Sequence, residues 1–200
     1  MFKWRQYLPI YEQVLSPYVG RPVTLVEIGV AQGGSLQLWR KYLGPASRII
    51  GVDLMPDAAR YAEPGIEVLI GDQGDKDFLQ RVLERAGHVD IVIDDGSHQV
   101  AHQRLALETF FPRLNEGGVF VCEDLHTSYW EGWGGGLQRP GSFIEYLKTL
   151  VDMMHAPYRS AEVTPEWVND IGSIVIGDSI AALSKRAGGE RCIVQVGQPE

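Results

Sequence analysis

Pro22-Val23-Thr24-Leu25-Val26-Glu27-Ile28 is an apolar run, and it feeds directly into Gly29-Val30-Ala31-Gln32-Gly33-Gly34-Ser35. From Ser35 to Leu43 the apolar residues Leu36, Leu38, Trp39 and Tyr42 recur at helical spacing. A near-continuous apolar run reads as a strand covered on both faces, and the spacing after it reads as a helix. Strand, glycine turn and helix in that order form the opening unit of a parallel α/β sheet.

The same unit recurs along the chain. Arg48–Asp53 is a second strand, Ile66–Ile70 a third and Val89–Ile93 a fourth, with a helix predicted over Asp77–Arg85. A helix over Ala101–Leu114 and a turn at Asn115-Glu116-Gly117-Gly118 lead to a fifth strand, Val119–Cys122. A glycine- and tryptophan-rich loop, Thr127–Gly141, precedes a helix from about Ser142 to His155. Two last strands are expected near Ile171–Ile176 and Cys192–Val196, while Ile180–Lys185 reads as either strand or short helix. The prediction is a mainly parallel sheet with helices on both faces, in one domain over residues 1–200, with 1–21 as an N-terminal helical segment.

Ligands in such sheets bind beyond the carboxyl ends of the strands. Here those ends are polar: Glu27 before the first turn, Asp53 after strand two, Gly71-Asp72-Gln73 after strand three, Asp94-Asp95-Gly96-Ser97-His98 after strand four, and Glu123-Asp124 after strand five. A net charge of −8 argues against a general affinity for nucleic acid through phosphate neutralisation. No apolar run is long enough to suggest a membrane helix, and the first residues lack a signal-peptide core, so a cytoplasmic protein is expected. The sequence allows a homo-oligomer. Cys122 and Cys192 fall in predicted strands and read as buried thiols.

The first turn carries Gly29, Gly33 and Gly34, with alanine where a dinucleotide fingerprint wants its second glycine. With Glu27 ahead of it, this suits a cofactor bearing a cationic amino-acid group better than a pyrophosphate. Asp53 is placed to accept hydrogen bonds from ribose hydroxyls; the plainer alternative is a solvated strand-end acid. Asp72 and Gln73 lie where an adenine would sit, or else serve the start of the next helix near Asp75.

With these residues in hand, the sequence resembles the class I S-adenosylmethionine-dependent methyltransferases. It resembles most the metal-dependent sugar O-methyltransferases of macrolide biosynthesis, through "VEIGVAQGGSLQLW", "GVDL", "GDQGD", "IDDGSH" and "GGVFVCEDLHTSYW". Those enzymes can carry an extra N-terminal domain, which this chain is too short to hold. The resemblance implies a Rossmann-like seven-stranded sheet, mostly parallel. It implies S-adenosylmethionine held by Glu27, Gly29, Gly33, Ser35, Asp53, Asp72 and Gln73. Asp94 is expected on the cofactor side or bonded to the amides of its own turn.

It also implies that strands four and five are neighbours, about 4.8 Å apart. Asp95, Glu123 and Asp124 would then share one rim, where carboxylates repel unless a cation lies between them. Oxygen ligands favour Mg²⁺, then Mn²⁺; the bland alternative is acids spread on a solvated edge. By the same resemblance His98 is the general base, with Tyr129 and Trp130 on the substrate side. His102 and His126 are weaker candidates. Gly96 and Ser97 are expected to shape the turn, Ser97 as a helix cap.

The expected reaction is methyl transfer to a hydroxyl, on a sugar of a glycosylated natural product. The alternatives are a nicotinamide-dependent oxidoreductase with the same sheet, or a non-catalytic cofactor- and metal-binding protein of the cephalosporin-modifying type.

Overall fold

The computed structural model describes residues 3–158 and 165–188, with 193 and 197. Its sheet has seven strands: β1 (Thr24–Ile28), β2 (Arg48–Asp53), β3 (Ile66–Ile70), β4 (Val89–Asp94), β5 (Leu114–Cys122), β6 (Ile171–Gly177) and β7 (Ile180–Lys185). They lie in the order β3-β2-β1-β4-β5-β7-β6. All neighbouring pairs are parallel except β5–β7 and β6–β7, which are antiparallel. This is the seven-stranded, mostly parallel sheet that the resemblance implies.

Alternate side chains divide between the two faces, as a pleated strand requires. Val26, Val92 and Phe120 pack with Phe78 and Leu79 of α3 (Lys76–Ala86), Leu107 and Phe110 of α4 (Val100–Phe110), and Leu147 and Leu150 of α5 (Phe143–Met154). Leu25, Ile91 and Val121 pack on the other face with Leu36 and Trp39 of α2 (Gly34–Leu43) and with Tyr7, Tyr11 and Leu15 of α1 (Tyr7–Leu15). Asp75 caps α3 by accepting from the amides of Asp77 and Phe78.

Two sequence expectations change and one open reading is resolved. The helix predicted over Ala101–Leu114 stops at Phe110, and a short 3₁₀ turn, Phe111–Arg113, follows. Pro112 lies within that turn; it lacks the amide a helix needs and its ring clashes with the preceding turn. Leu114 and the expected turn at Asn115–Gly118 belong to β5, which bulges against β4 between Val89 and Ile91. Ile180–Lys185 is a strand, because Ala181–Leu183 is buried between β5 and β6. The strand expected near Cys192–Val196 lies outside the described residues apart from Ile193, which is not in a strand. Cys122 is a buried free thiol.

Candidate active site

The strand order reverses between β1 and β4, so the two following helices leave to opposite faces and open a crevice there. Ile28 pairs with Asp94, and Asp94 with Cys122. The next residues, Gly29, Asp95 and Glu123, therefore leave the sheet side by side. The Asp95 amide still donates to Ile28 O at 2.9 Å, and the Glu123 amide to Asp94 O at 2.9 Å. Gly29 has φ +98°, and a Cβ there would lie 2.1 Å from the Asp95 carbonyl oxygen. Only glycine lets these two turns touch.

Two cavities flank that contact. One, of about 260 Å³, is lined by Asp53, Asp72, Gln73, Asp95 and Ser97 among others. The second, of about 320 Å³, is lined by Lys3, Gln32, Ser35, Asp95 and His98, and both include Gly29, Ala31 and Gly96. In the first, Asp53 Oδ2 accepts from the amides of Val30 and Ala31, each at 2.9 Å, and Oδ1 from Met55 at 2.8 Å. Three amides thus aim one carboxylate along the cavity rim. Asp72 Oδ1 accepts from the Gly74 amide at 2.7 Å.

Several expected cofactor residues spend their contacts on the protein itself. Glu27 is fully buried; Ser35 Oγ donates to it at 2.7 Å and Trp39 Nε1 at 3.0 Å. Gly33, left-handed at φ +73°, precedes α2 and packs on the Tyr61 ring. Gln73 is a strut: its amide donates to Asp94 Oδ1 at 2.7 Å and its oxygen accepts from the Ser97 amide at 2.9 Å. Asp94 is buried, and its Oδ2 has no partner. Burial pushes the Asp94 carboxyl up to about 7, against the hydrogen bonds from Gly96 and Gln73.

Gly96 is needed for space, since a Cβ would lie 2.2 Å from Gln73 Oε1. The left-handed turn residue is instead His98, at φ +56°. Ser97 is not the helix cap that was expected; Gln99 holds the cap position of α4 without a side-chain bond. Ser97 Oγ pairs with His102 Nδ1 at 2.9 Å.

At the end of the second cavity, Asp95, His98 and Asp124 present ligand atoms within 4.8 Å of one another. His98 Nε2 is 3.4 Å from Asp124 Oδ2 and 4.0 Å from Asp95 Oδ1, while its Nδ1 is buried and unpartnered. Asp124 is left-handed too, at φ +54°. Non-glycine residues hold such conformations only where their surroundings enforce them. One buried hydroxyl does so here: Thr127 Oγ1 lies 2.8 Å from the Asp124 carbonyl and 3.0 Å from that of His98.

Glu123 faces inward. It receives hydrogen bonds from Lys3 Nζ and from the Tyr11 hydroxyl. Lys3 Nζ also reaches Asp95 Oδ2 at 2.7 Å and Glu27 Oε1 at 3.6 Å. Burial works to lower the Lys3 pKa, but the charges of Glu123, Glu27 and Asp95 more than reverse it and keep the ammonium protonated. Burial also raises the pKa of both Asp95 and Glu123, with Lys3 opposing. Tyr7 completes the rim, donating to Asp124 Oδ1 at 2.7 Å and accepting from the Asp124 amide at 3.1 Å.

Beyond Asp124, Tyr129 and Trp130 are each 48% exposed. His126 stands edge-on to Trp130, with centroids 4.7 Å apart, and hydrogen-bonds Ser179 Oγ at 2.6 Å. Trp4 stands edge-on to the same His126 ring at 6.4 Å. His102 and His126 thus face serines, and among the described residues only His98 joins the acids.

The N-terminal segment lines the second cavity through Lys3 and packs on the sheet through Tyr7 and Tyr11 of α1. Lys3, Tyr7 and Tyr11 repeat at four-residue spacing, which was the available signal.

Comparison with known proteins agrees with this architecture. The methyltransferase-domain family matches residues 26–125. The chain is 40% identical over 198 residues to the 8-demethyl-8-alpha-L-rhamnosyl tetracenomycin-C 2'-O-methyltransferase of Streptomyces olivaceus, covering 92% of this chain and 52% of that protein. It is 38% identical over 156 residues to the mycinamicin VI 2''-O-methyltransferase of Micromonospora griseorubida, covering 73% of this chain and 39% of that protein. The structure of MycE methyltransferase in complex with Mg, SAH and mycinamycin VI superposes with a TM-score of 0.85 at 32% identity, over 93% of this chain and 50% of that one. The chain thus spans about half the length, or less, of these relatives.

Proposed function

The chain belongs to the methyltransferase-domain family, and from that premise we propose that it transfers a methyl group from S-adenosylmethionine to a hydroxyl on a sugar of a glycosylated natural product, with Mg²⁺ or Mn²⁺. The observation that carries this reading is the convergence of Asp95, His98 and Asp124 at the end of two cavities that meet at Gly29.

The residues present fit both groups. Asp53 would take the ribose hydroxyls, with Asp72 and Gln73 at the base end of the same cavity. Gly29 and the Gly33–Ser35 turn would line the amino-acid end, with Glu27 and Asp94 supporting from beneath. Bound there, the cofactor supplies an electrophilic methyl on sulfur. Asp95 and Asp124 offer the hard oxygen ligands a divalent ion prefers, and Glu123, turned inward onto Lys3 and Tyr11, is the third acid of the set that the resemblance implies. Such an ion supplies charge that acidifies a hydroxyl.

His98 takes the proton from the acceptor hydroxyl at Nε2, and Asp124 stabilises the imidazolium that results. Tyr129 and Trp130 offer ring faces to the sugar or its aglycone. The remaining contribution of the chain is alignment of the oxygen with the methyl. The tetracenomycin and mycinamicin relatives are named for methylation of sugar hydroxyls, which supports a glycoside acceptor. Among the described residues no helix is long and apolar enough to cross a membrane; a cytoplasmic reaction without nucleic acid completes the reading.

The test is incubation with S-adenosylmethionine, Mg²⁺ and a panel of glycosides and their aglycones, read by mass spectrometry. Gain of one methyl on a glycoside, abolished by EDTA and restored by Mg²⁺, is the expected result. Full turnover in EDTA would sink the metal role, and no methylation of any glycoside would sink the acceptor class.

A further inference from the structure

Neither the motif pattern nor the proposed chemistry requires Lys3 at the acidic site. Its side chain is 4% exposed, and its ammonium lies between acids from three strand ends: Glu27 of β1, Asp95 after β4 and Glu123 after β5. The rings of Tyr11 and Trp39 close the pocket, with centroids 5.9 and 6.0 Å from Nζ.

We propose that Lys3 is a positioning residue: its ammonium fixes the directions of Asp95 and Glu123 and supplies the positive charge that lets Glu27, Asp95 and Glu123 share one buried space in the absence of metal. Two features carry this. The ammonium binds one oxygen of Asp95, Oδ2, and so leaves Oδ1 turned toward His98. And Glu27, whose own hydrogen bonds come from the neutral groups of Ser35 and Trp39, has Lys3 as its cation. A buried pair that loses one partner leaves an uncompensated charge, which is far more costly than losing a surface pair. The acids are thereby held apart and aimed before any ion binds.

The experiment is thermal unfolding of wild type, Lys3→Met, Glu123→Gln and the double variant, each in EDTA and in saturating Mg²⁺. Methionine keeps the stem and removes the charge. In EDTA, Lys3→Met is expected to lower Tm by at least about 6 °C. The same change in the Glu123→Gln background is expected to cost less than half as much, because one of the unpaired acids is gone. Mg²⁺ is expected to return at least half of the loss in the single variant.

A Lys3→Met protein that melts like wild type in EDTA overturns the proposal. So does an equal loss in both backgrounds, which would mean the stem packs and the charge is idle. If Lys3→Met fails to fold in EDTA but folds with Mg²⁺ or with Glu123→Gln, the proposal stands; if none of these folds, it falls. The Mg²⁺ arm alone rests on the metal reading. A coupled loss in the double variant without any response to Mg²⁺ supports the role of Lys3 and counts against the ion.

Discussion

His98 Nε2 and Asp124 Oδ2 lie 3.4 Å apart although each residue sits in the left-handed region, at φ +56° and +54°. Two unfavourable backbone conformations are thus maintained at the point where an imidazole meets a carboxylate. In the proposed reading these two residues are the base and its charge partner.

Replacing the imidazole therefore requires a residue that tolerates the turn. Asparagine enters the left-handed region more readily than most, so His98→Asn should fold as wild type does. Its kcat at saturating acceptor is expected to fall by about 10²–10⁴, with binding of S-adenosylhomocysteine, followed by calorimetry, unchanged. Unaltered kcat would remove His98 from the chemistry.

Thr127 ties the two turns through one hydroxyl. Thr127→Val keeps the shape and loses that hydroxyl, at a cost of about 1 kcal/mol, and kcat is expected to drop by about tenfold. Thr127→Ser should restore most of it. Equal kcat in the valine and serine variants would show that the hydroxyl does not set the site.

Asp53 gathers the amides of Val30, Ala31 and Met55 around one carboxylate. Asp53→Asn turns an amide donor toward some of those donors and removes the charge. Cofactor affinity is expected to fall by about 10–100-fold, the equivalent of one charge-assisted hydrogen bond. Calorimetry with S-adenosylhomocysteine reads this directly, while affinity for Mn²⁺, measured by spin resonance, should hold.

Gly29 and Gly20 make a matched pair. Both have positive φ, +98° and +77°, but a Cβ on Gly20 meets nothing within 4 Å, whereas one on Gly29 meets Asp95 O at 2.1 Å. Gly20→Ala should cost about 1 kcal/mol, or about 2–4 °C in Tm. Gly29→Ala should cost at least about 3 kcal/mol, because backbone must move. Similar melting of the two variants would show that the turns do not press on one another.

The parts of this site that read directly from sequence are the parts that local pattern governs. Apolar runs ending at Ile28, Asp53, Ile70, Ile93 and Cys122 mark strand ends, and a parallel sheet brings strand ends to one rim. That rim is as far as the pattern goes: the set Asp95, Glu123 and Asp124 and the role of His98 rest on the resemblance, and the folded chain gathers Asp95, His98 and Asp124 while Glu123 turns inward. Lys3 is legible only in part: its four-residue spacing with Tyr7 and Tyr11 groups the three, but its contacts span 92 and 120 positions, so no local pattern names the acids it meets. Gln73 is similar: "GDQGD" marks a cofactor end, but only the folded chain shows its side chain spent on Asp94 and Ser97. Ile180–Lys185 is ambiguous in sequence for another reason. Short buried apolar segments such as Ile180-Ala181-Ala182-Leu183 suit strand and helix alike until their neighbours are known.

The two cavities meet along a common wall made by Gly29, Ala31, Asp95 and Gly96. Such a wall is shared property: whatever stiffens it from one side is felt on the other. A cofactor against that wall and an ion held at Asp95 would then report on each other reciprocally, each altering the other's affinity by the same factor. The order in which they arrive would become a matter of rate and not of equilibrium.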